Sequence, residues 1–224
     1  MAETSFRLRI NFQKIGRLRF LSHLEIVRAL ERCVRRAGLP YAVSQGFNVH
    51  MRYAPGPALP VGTESLDEYF DVWLRDYVSP YQALVRLQAV CAGELPVKFV
   101  AYVDPRAKGL QATHIFEDYR MVLEASGLSL TELEHCFEEL IKGGELKTAH
   151  KGSEKVHDLR MTLRKLSCAQ DKENANRFIL DIALTSTEQG SIRPDALTKA
   201  ALGTAGSCWE IVSVTRTRLA EEPR

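Results

Sequence analysis

The sequence lacks the paired and clustered ligands that most metal and redox chemistries need. It has no CxxC, no HxH and no HExxH, and its five cysteines, Cys33, Cys91, Cys136, Cys168 and Cys208, are odd in number and widely scattered. That spacing excludes a zinc knuckle, a thioredoxin-type pair and a local iron–sulfur segment. Reduced thiols packed as small core residues are expected instead. The six histidines, His23, His50, His114, His135, His150 and His157, stand apart, so a metal site would need assembly from distant segments. No metal and no cofactor is expected. No apolar run approaches the roughly 20 residues of a membrane span, and the opening MAETSFRLRI lacks a signal-peptide pattern. The expected location is the cytoplasm, with no membrane partner. An RNP-type aromatic box is also missing, which excludes an ordinary RNA-recognition motif.

What is present is ordinary in bulk and uneven in distribution. The chain has 224 residues, 45% hydrophobic and 26% charged, the composition of a globular protein of one large or two small domains. Net charge is only +2, but residues 1–53 hold ten Lys and Arg against three Glu, and the remainder is acidic. A near-neutral protein with a concentrated basic end suggests a patch that faces a polyanion. A solvated helix face with strand exteriors accounts for the same count.

Phe6–Phe12 alternates strictly, the pattern of a half-buried strand with Phe6, Leu8, Ile10 and Phe12 inward and Arg7, Arg9 and Asn11 outward. Lys14-Ile15-Gly16 predicts a turn and Arg17–Leu21 a return to extended structure. Ser22-His23-Leu24-Glu25 is a capping box that opens a helix over 22–37, stopped by Gly38 and Pro40. Leu24, Val27, Leu30 and Val34 would face the core, with Ile26 and Cys33 beside them. Arg28, Arg32, Arg35 and Arg36 recur on the outer face. Ala54-Pro55-Gly56-Pro57 cannot be central sheet. Glu68–Leu74 predicts a strand, Ser79-Pro80-Tyr81-Gln82 a capped helix ending at Gly93, and Val97–Val103 a strand. Asp104–Gln111 reads as a linker.

The order then recurs. Phe116–Glu124 is a strand and Ser129-Leu130-Thr131-Glu132 caps a helix that ends at Gly143-Gly144. Leu146–Lys151 is a short strand. Val156–Leu166 and Phe178–Leu184 form a hairpin, Pro194–Leu202 a helix and Trp209–Leu219 the last strand. The fold expected is α+β: duplicated ferredoxin-like βαββαβ domains with antiparallel sheets, over residues 1–105 and 112–224. One continuous sheet shared by both halves is the alternative.

A ferredoxin-like sheet leaves one face without helices, and Arg7, Arg9 and Asn11 would lie on it. Arginines there, with Arg17, Arg19, Arg28, Arg32, Arg35, Arg36 and Arg52, form a candidate RNA- or phosphate-binding set. His23, in the first helical turn, and His50, in a bend beside Arg52, are candidate acid–base groups, with a structural role as the plainer reading of each. The Gly203–Ser207 loop has a composition that can present amides to phosphate. Glu64, Asp67, Glu68 and Asp71 are read as charges pairing with the basic end before they are read as a metal site.

At RFLSHLEIVRALERCVRRAGLPYAVSQGFNVH (Arg19–His50), followed by ALPVGTESLDEYFDVWL (Ala58–Leu74), the chain resembles the radical-SAM-linked domain family of unknown function. The matching positions include Ser22, His23, Ser44, Gln45, Gly46, Phe47, Asn48, His50 and Glu68. Glu25 stands where the family carries Asp, and Val49 where it carries Pro. Arg193, Asp195 and Arg216 are similar to the family's C-terminal RPD and R-T segments. The resemblance implies a radical SAM enzyme as partner and a place in RNA metabolism or modification, with no cluster motif in this chain itself. Three functions follow as expectations: an RNA-binding accessory protein that presents a tRNA-like substrate to the partner, a metal-independent endoribonuclease similar to CRISPR repeat-processing proteins, or a protein-docking module.

Overall fold

The alternation that begins at Phe6 forms strand β1 (Phe6–Lys14) in the computed structural model, which describes residues 5–45, 47–150, 153–187, 190–203 and 209–223. The chain divides into two compact units, Met1–His114 and Ile115–Arg224. Each combines helices with antiparallel strands.

In the first unit β1 is followed by a 3-10 turn (Gly16–Phe20), α1 (His23–Arg36), β2 (Tyr53–Pro55), β3 (Glu64–Leu74), α2 (Pro80–Val90), β4 (Val97–Val103) and a single helical turn, α3 (Leu110–Thr113). The strands lie in the order β4-β1-β3-β2, every neighbour antiparallel. Leu8 pairs with Val72, and Ile10 with Phe70. Their side chains meet Ile26, Val27, Leu30 and Val34 of α1 and Ala83 and Leu87 of α2 in one core. Each fully buried Leu, Ile or Val contributes about 1.5–3 kcal/mol. A helix cap contributes about 1 kcal/mol. Burial therefore sets which face of α1 points inward, and the cap sets where α1 begins. The capping box is formed as expected: Ser22 Oγ accepts from the Glu25 amide, and the Glu25 carboxylate accepts from the Ser22 amide at 2.8 Å.

Two local expectations are corrected in this unit. Arg17–Phe20 is not extended, because Gly16 adopts φ +60° and two carboxylates fix a turn: Glu64 accepts from the Gly16 amide and Glu94 from the Arg17 amide, both at 2.9 Å. Leu24 does not face the core but is 64% exposed; the helix starts one residue before it, and the buried stripe begins at Ile26. The reading that Ala54–Pro57 is not central sheet agrees with the short Tyr53–Pro55 strand, which pairs with β3 alone, where a proline costs no ladder bond.

The second unit runs β5 (Phe116–Ala125), α4 (Leu130–Gly143), β6 (Glu145–His150), β7 (Ser153–Asp158), α5 (Leu159–Thr162), β8 (Leu163–Gln170), β9 (Arg177–Thr185), α6 (Pro194–Leu202) and β10 (Trp209–Ala220). Four strands take the order β10-β5-β9-β8, again antiparallel. Met121 and Leu123 of β5, Leu180 and Ile182 of β9, Leu133 and Phe137 of α4 and Leu197 of α6 are buried. The expected hairpin beginning at Val156 is corrected. Val156 belongs to β7, which pairs with β6 as a separate two-stranded ribbon, and the main hairpin is β8–β9. Asp158 caps the α5 turn that separates the two, accepting from the Arg160 amide at 2.8 Å.

Candidate nucleic-acid interface

β1 does send Arg7, Arg9 and Asn11 to the side away from the α1–α2 core, as alternation requires. That side is not open. The chain after β4 returns across it: Arg7 donates to the Ala107 and Lys108 carbonyls at 2.6 and 3.2 Å, and the His114 ring lies 4.6 Å from Tyr69. Arg7 is 2% exposed, and its guanidinium meets Asp71 at 2.7 Å. Arg9 meets the other Asp71 oxygen at 2.9 Å. The expectation that these two arginines contact a polyanion is therefore corrected. A fully buried carboxylate between two guanidiniums is satisfied locally, and freeing either cation would strand a charge. Asn11 is likewise engaged, donating to Asp67 at 2.7 Å. Burial, with Asp67 adding to it, pushes the Tyr69 hydroxyl up to about 12.

The outer face of α1 is different. Arg28, Arg32, Arg35 and Arg36 are exposed. Arg35 lies 4.0 Å from Glu31 and over the Tyr41 ring. Among the described residues no carboxylate comes within ion-pair distance of Arg28, Arg32 or Arg36. Arg17 is exposed near the start of the same segment, whereas Arg19 lies 3.8 Å from Glu64 and 4.8 Å from the Phe20 ring. Phe20, which lies against Arg19, and Leu24, one turn before Arg28 on α1, are 60% and 64% exposed. Arg52 is exposed and lies over Trp73 at 4.7 Å. On the inner side of α1, Cys33 is pushed down to about 7 by a hydrogen bond with Cys91, helped by Arg36 and Arg32, while Cys91 is pushed up.

His23 and Glu68 converge on one cavity between α1 and the sheet, beneath Pro55, Gly56 and Leu59. Lys14, which the sequence reading placed in a turn, joins them. It continues the inward phase of Leu8, Ile10 and Phe12, and that phase was the signal for it. Lys14 and Glu68 are buried, Lys14 Nζ donates to the Leu21 carbonyl at 2.9 Å, and neither these two nor His23 is without a partner. Gly56 is required here, because its amide donates to the Tyr69 carbonyl at 2.9 Å and a Cβ would sit 2.9 Å from the same oxygen. The cavity has about 20 Å³ of room, enough for one water and too little for a nucleotide.

Ser44, Gln45 and the residues from Phe47 to His50 lie at the surface. Ser44 Oγ lies 2.9 Å from His50 Nδ1, which is 3.0 Å from the Asn48 carbonyl. Gln45, Asn48 and His50 are exposed, and so are Val43, Phe47 and Val49. Gly46 lies outside the described residues, as do Thr204–Ser207 of the expected phosphate loop. The structure does not bring His50 to the His23 cavity.

In the second unit Arg193 is the N-cap of α6 and clamps Asp195 through two hydrogen bonds of 2.9 Å. Arg216 is fully buried. It donates to Glu117 at 3.2 Å, and Glu117 also accepts from Tyr119 and from Ser186. It closes a polar cluster at the end of the core and presents nothing to solvent. Among the described residues no group of three or more His, Cys, Asp or Glu is placed to hold a metal ion. No helix among them is long and apolar enough to cross a membrane.

No curated protein matches the chain. Solved structures do, among them two at 10% identity each and over 95% of this chain: a Cbf5–Nop10–Gar1 complex, with a TM-score of 0.55, and an archaeal box H/ACA sRNP Nop10–Cbf5 complex, with a TM-score of 0.51. The chain spans about half the length of these relatives, 48% of each. At that identity the likeness is one of fold. The family comparison is more direct: residues 7–194, which carry the motif segments around Ser22, Ser44 and Glu68 and reach Arg193, match a family model described as an uncharacterized protein conserved in bacteria (DUF2344), and the chain belongs to that family.

Proposed function

We propose that this protein is an RNA-binding accessory module that holds a tRNA-like substrate for a partner radical SAM enzyme in the cytoplasm. In this reading the RNA backbone runs along the outer face of α1. The carrying observation is the ridge of Arg28, Arg32 and Arg36, exposed and with no carboxylate within ion-pair distance among the described residues, on the helix that also leaves Leu24 exposed. Folding pairs the arginines it buries, as it does Arg7 and Arg9, whereas the exposed ones stay solvated and open to a ligand. Guanidiniums are suited to phosphate through their paired donors, and adjoining apolar side chains give bases something to pack on. The likeness to an sRNP structure supports the RNA class, and the sequence resemblance supports the radical SAM partner. The same reading takes both units, 1–105 and 112–224, as ferredoxin-like copies, in keeping with the strand orders β4-β1-β3-β2 and β10-β5-β9-β8.

Protein docking is a second reading favoured by one feature. Phe47 is fully exposed within the motif loop, with Val43 and Val49 beside it, and an apolar loop tip fits a partner surface better than a phosphate. The two readings divide the first unit between α1 and the loop. Titration of labelled tRNA at two salt concentrations tests the RNA reading. Saturable binding that weakens with salt is expected. Failure to bind at protein concentrations on the order of micromolar would reject it.

A further inference from the structure

Two thiols meet in the first unit where the ends of α1 and α2 pack together. Cys33 lies in the last turn of α1 on its buried side, 7% exposed, and Cys91 is the C-cap of α2. Cys33 belongs to the core beneath the two helices, and the half-buried Cys91 packs against that core. Both are free thiols, and they hydrogen-bond to each other. Thiols in that contact are a short side-chain movement from a sulfur–sulfur bond of about 2 Å. Cys91 has already left the helix, with an extended backbone at φ −74° and ψ 145°, and helix ends yield more readily than helix interiors.

The charges around the pair give its members different roles. Arg36 and Arg32 both favour the Cys33 thiolate, and Arg36 acts on Cys91 as well. Neither arginine has a carboxylate within ion-pair distance among the described residues to cancel that field. The hydrogen bond from Cys91, with these cations, holds Cys33 down at about 7, while Cys91 is pushed up and keeps its proton. Cys168 in the second unit is the contrast: also half-buried, it is pushed up to about 11 by burial, with Glu134 adding to it. Hydroperoxides oxidise thiolates, and a second thiol within reach resolves the product. Access comes from the Cys91 side, which is only half-buried, and hydrogen peroxide is little larger than water.

We propose that Cys33 and Cys91 form a reversible disulfide on exposure to a hydroperoxide, Cys33 reacting first and Cys91 resolving it. The Cys33 sulfur attacks one oxygen of hydrogen peroxide and the O–O bond breaks. Cys33 becomes a sulfenic acid, and the other oxygen leaves as hydroxide, which recovers from solvent the proton that Cys33 gave up and becomes water. The Cys91 sulfur then attacks the Cys33 sulfur and displaces its hydroxyl, which leaves with the Cys91 proton as a second water. Two thiols are oxidised by two electrons in all, and the peroxide is reduced to two waters. The product ties the end of α1 to the end of α2, and a thiol reductant reverses it. The site does not rest on the RNA reading.

The test uses the full chain, reduced and then freed of reductant. It is treated with a stoichiometric amount of hydrogen peroxide, alkylated and mapped by non-reducing peptide mass spectrometry. A linked Cys33–Cys91 peptide is expected, formed several-fold faster than Cys168 is oxidised and lost on addition of dithiothreitol. In Cys91→Ala, Cys33 should react more slowly and stop at the sulfenic acid, which dimedone traps. The linkage itself is read in the unsubstituted chain, so the result does not depend on a variant that folds. Cys33 and Cys91 both still open to alkylation once Cys168 is oxidised would overturn the proposal. So would a Cys33 sulfenic acid that persists beside a free Cys91, or a link from either to another cysteine. No RNA is present in these measurements, so their failure leaves the RNA reading standing.

Discussion

Asp71 shows why a basic residue cannot be assigned to a surface from its phase in a strand. It is fully buried, with Arg9 donating to both its oxygens and Arg7 sharing one of them. Replacing one partner of such a group leaves uncompensated charge in a medium that solvates it poorly, at a cost of about 3–5 kcal/mol. Asp71→Asn should therefore lower unfolding free energy by about that amount in urea titration. A loss below about 1 kcal/mol, the level of an exposed pair, would show that water reaches the cluster. Cys33 offers a second residue-level check. Its largest downward influence is the hydrogen bond with Cys91. Removing that bond in Cys91→Ala should move the Cys33 titration midpoint up from about 7 towards 9.0, as read from the pH dependence of its alkylation rate. An unmoved midpoint would mean that Arg36 and Arg32 alone set it.

At the scale of elements, Leu24 separates two accounts of α1. A leucine on the core stripe loses about 2–5 kcal/mol on truncation. At 64% exposure Leu24 should tolerate Lys within about 0.5 kcal/mol, measured by thermal or urea unfolding. A core-sized loss would restore Leu24 to the inner face. The elements most legible in sequence were those with local causes. The capping boxes at Ser22 and Ser129, Pro80 and Pro194 at helix starts and the stop at Gly144 are where the residues place them. Less legible were features with distant causes. The turn at Gly16-Arg17 depends on Glu64, 48 residues from Gly16, and Glu94, 77 residues from Arg17. The β6–β7 ribbon was half seen, because a short alternating run does not reveal its pairing partner. Alternation identified the face of Arg7 and Arg9, but not that residues 104–114 return to cover it.

For the molecule as a whole, the basic first quarter of the sequence splits into two populations. One is internal and held by carboxylates, represented by Arg7 and Arg9. The other is external, represented by Arg28, Arg32 and Arg36, and only this one remains available to a polyanion. Membership in DUF2344 and the shared fold with Cbf5-containing complexes set the context for that division. The candidate interface was legible in sequence as an arginine face on a capped helix. The Cys33–Cys91 pair was not, since its members come from the ends of two different helices and meet only in the folded unit.

The most direct measurement is the salt dependence of tRNA affinity for the intact protein and for Arg28→Ala/Arg32→Ala/Arg36→Ala. If these three side chains each neutralise a phosphate, the log–log slope should become shallower by about 2, with a matching loss of affinity at low salt. An unchanged affinity and slope in a folded triple variant would contradict an RNA path along α1.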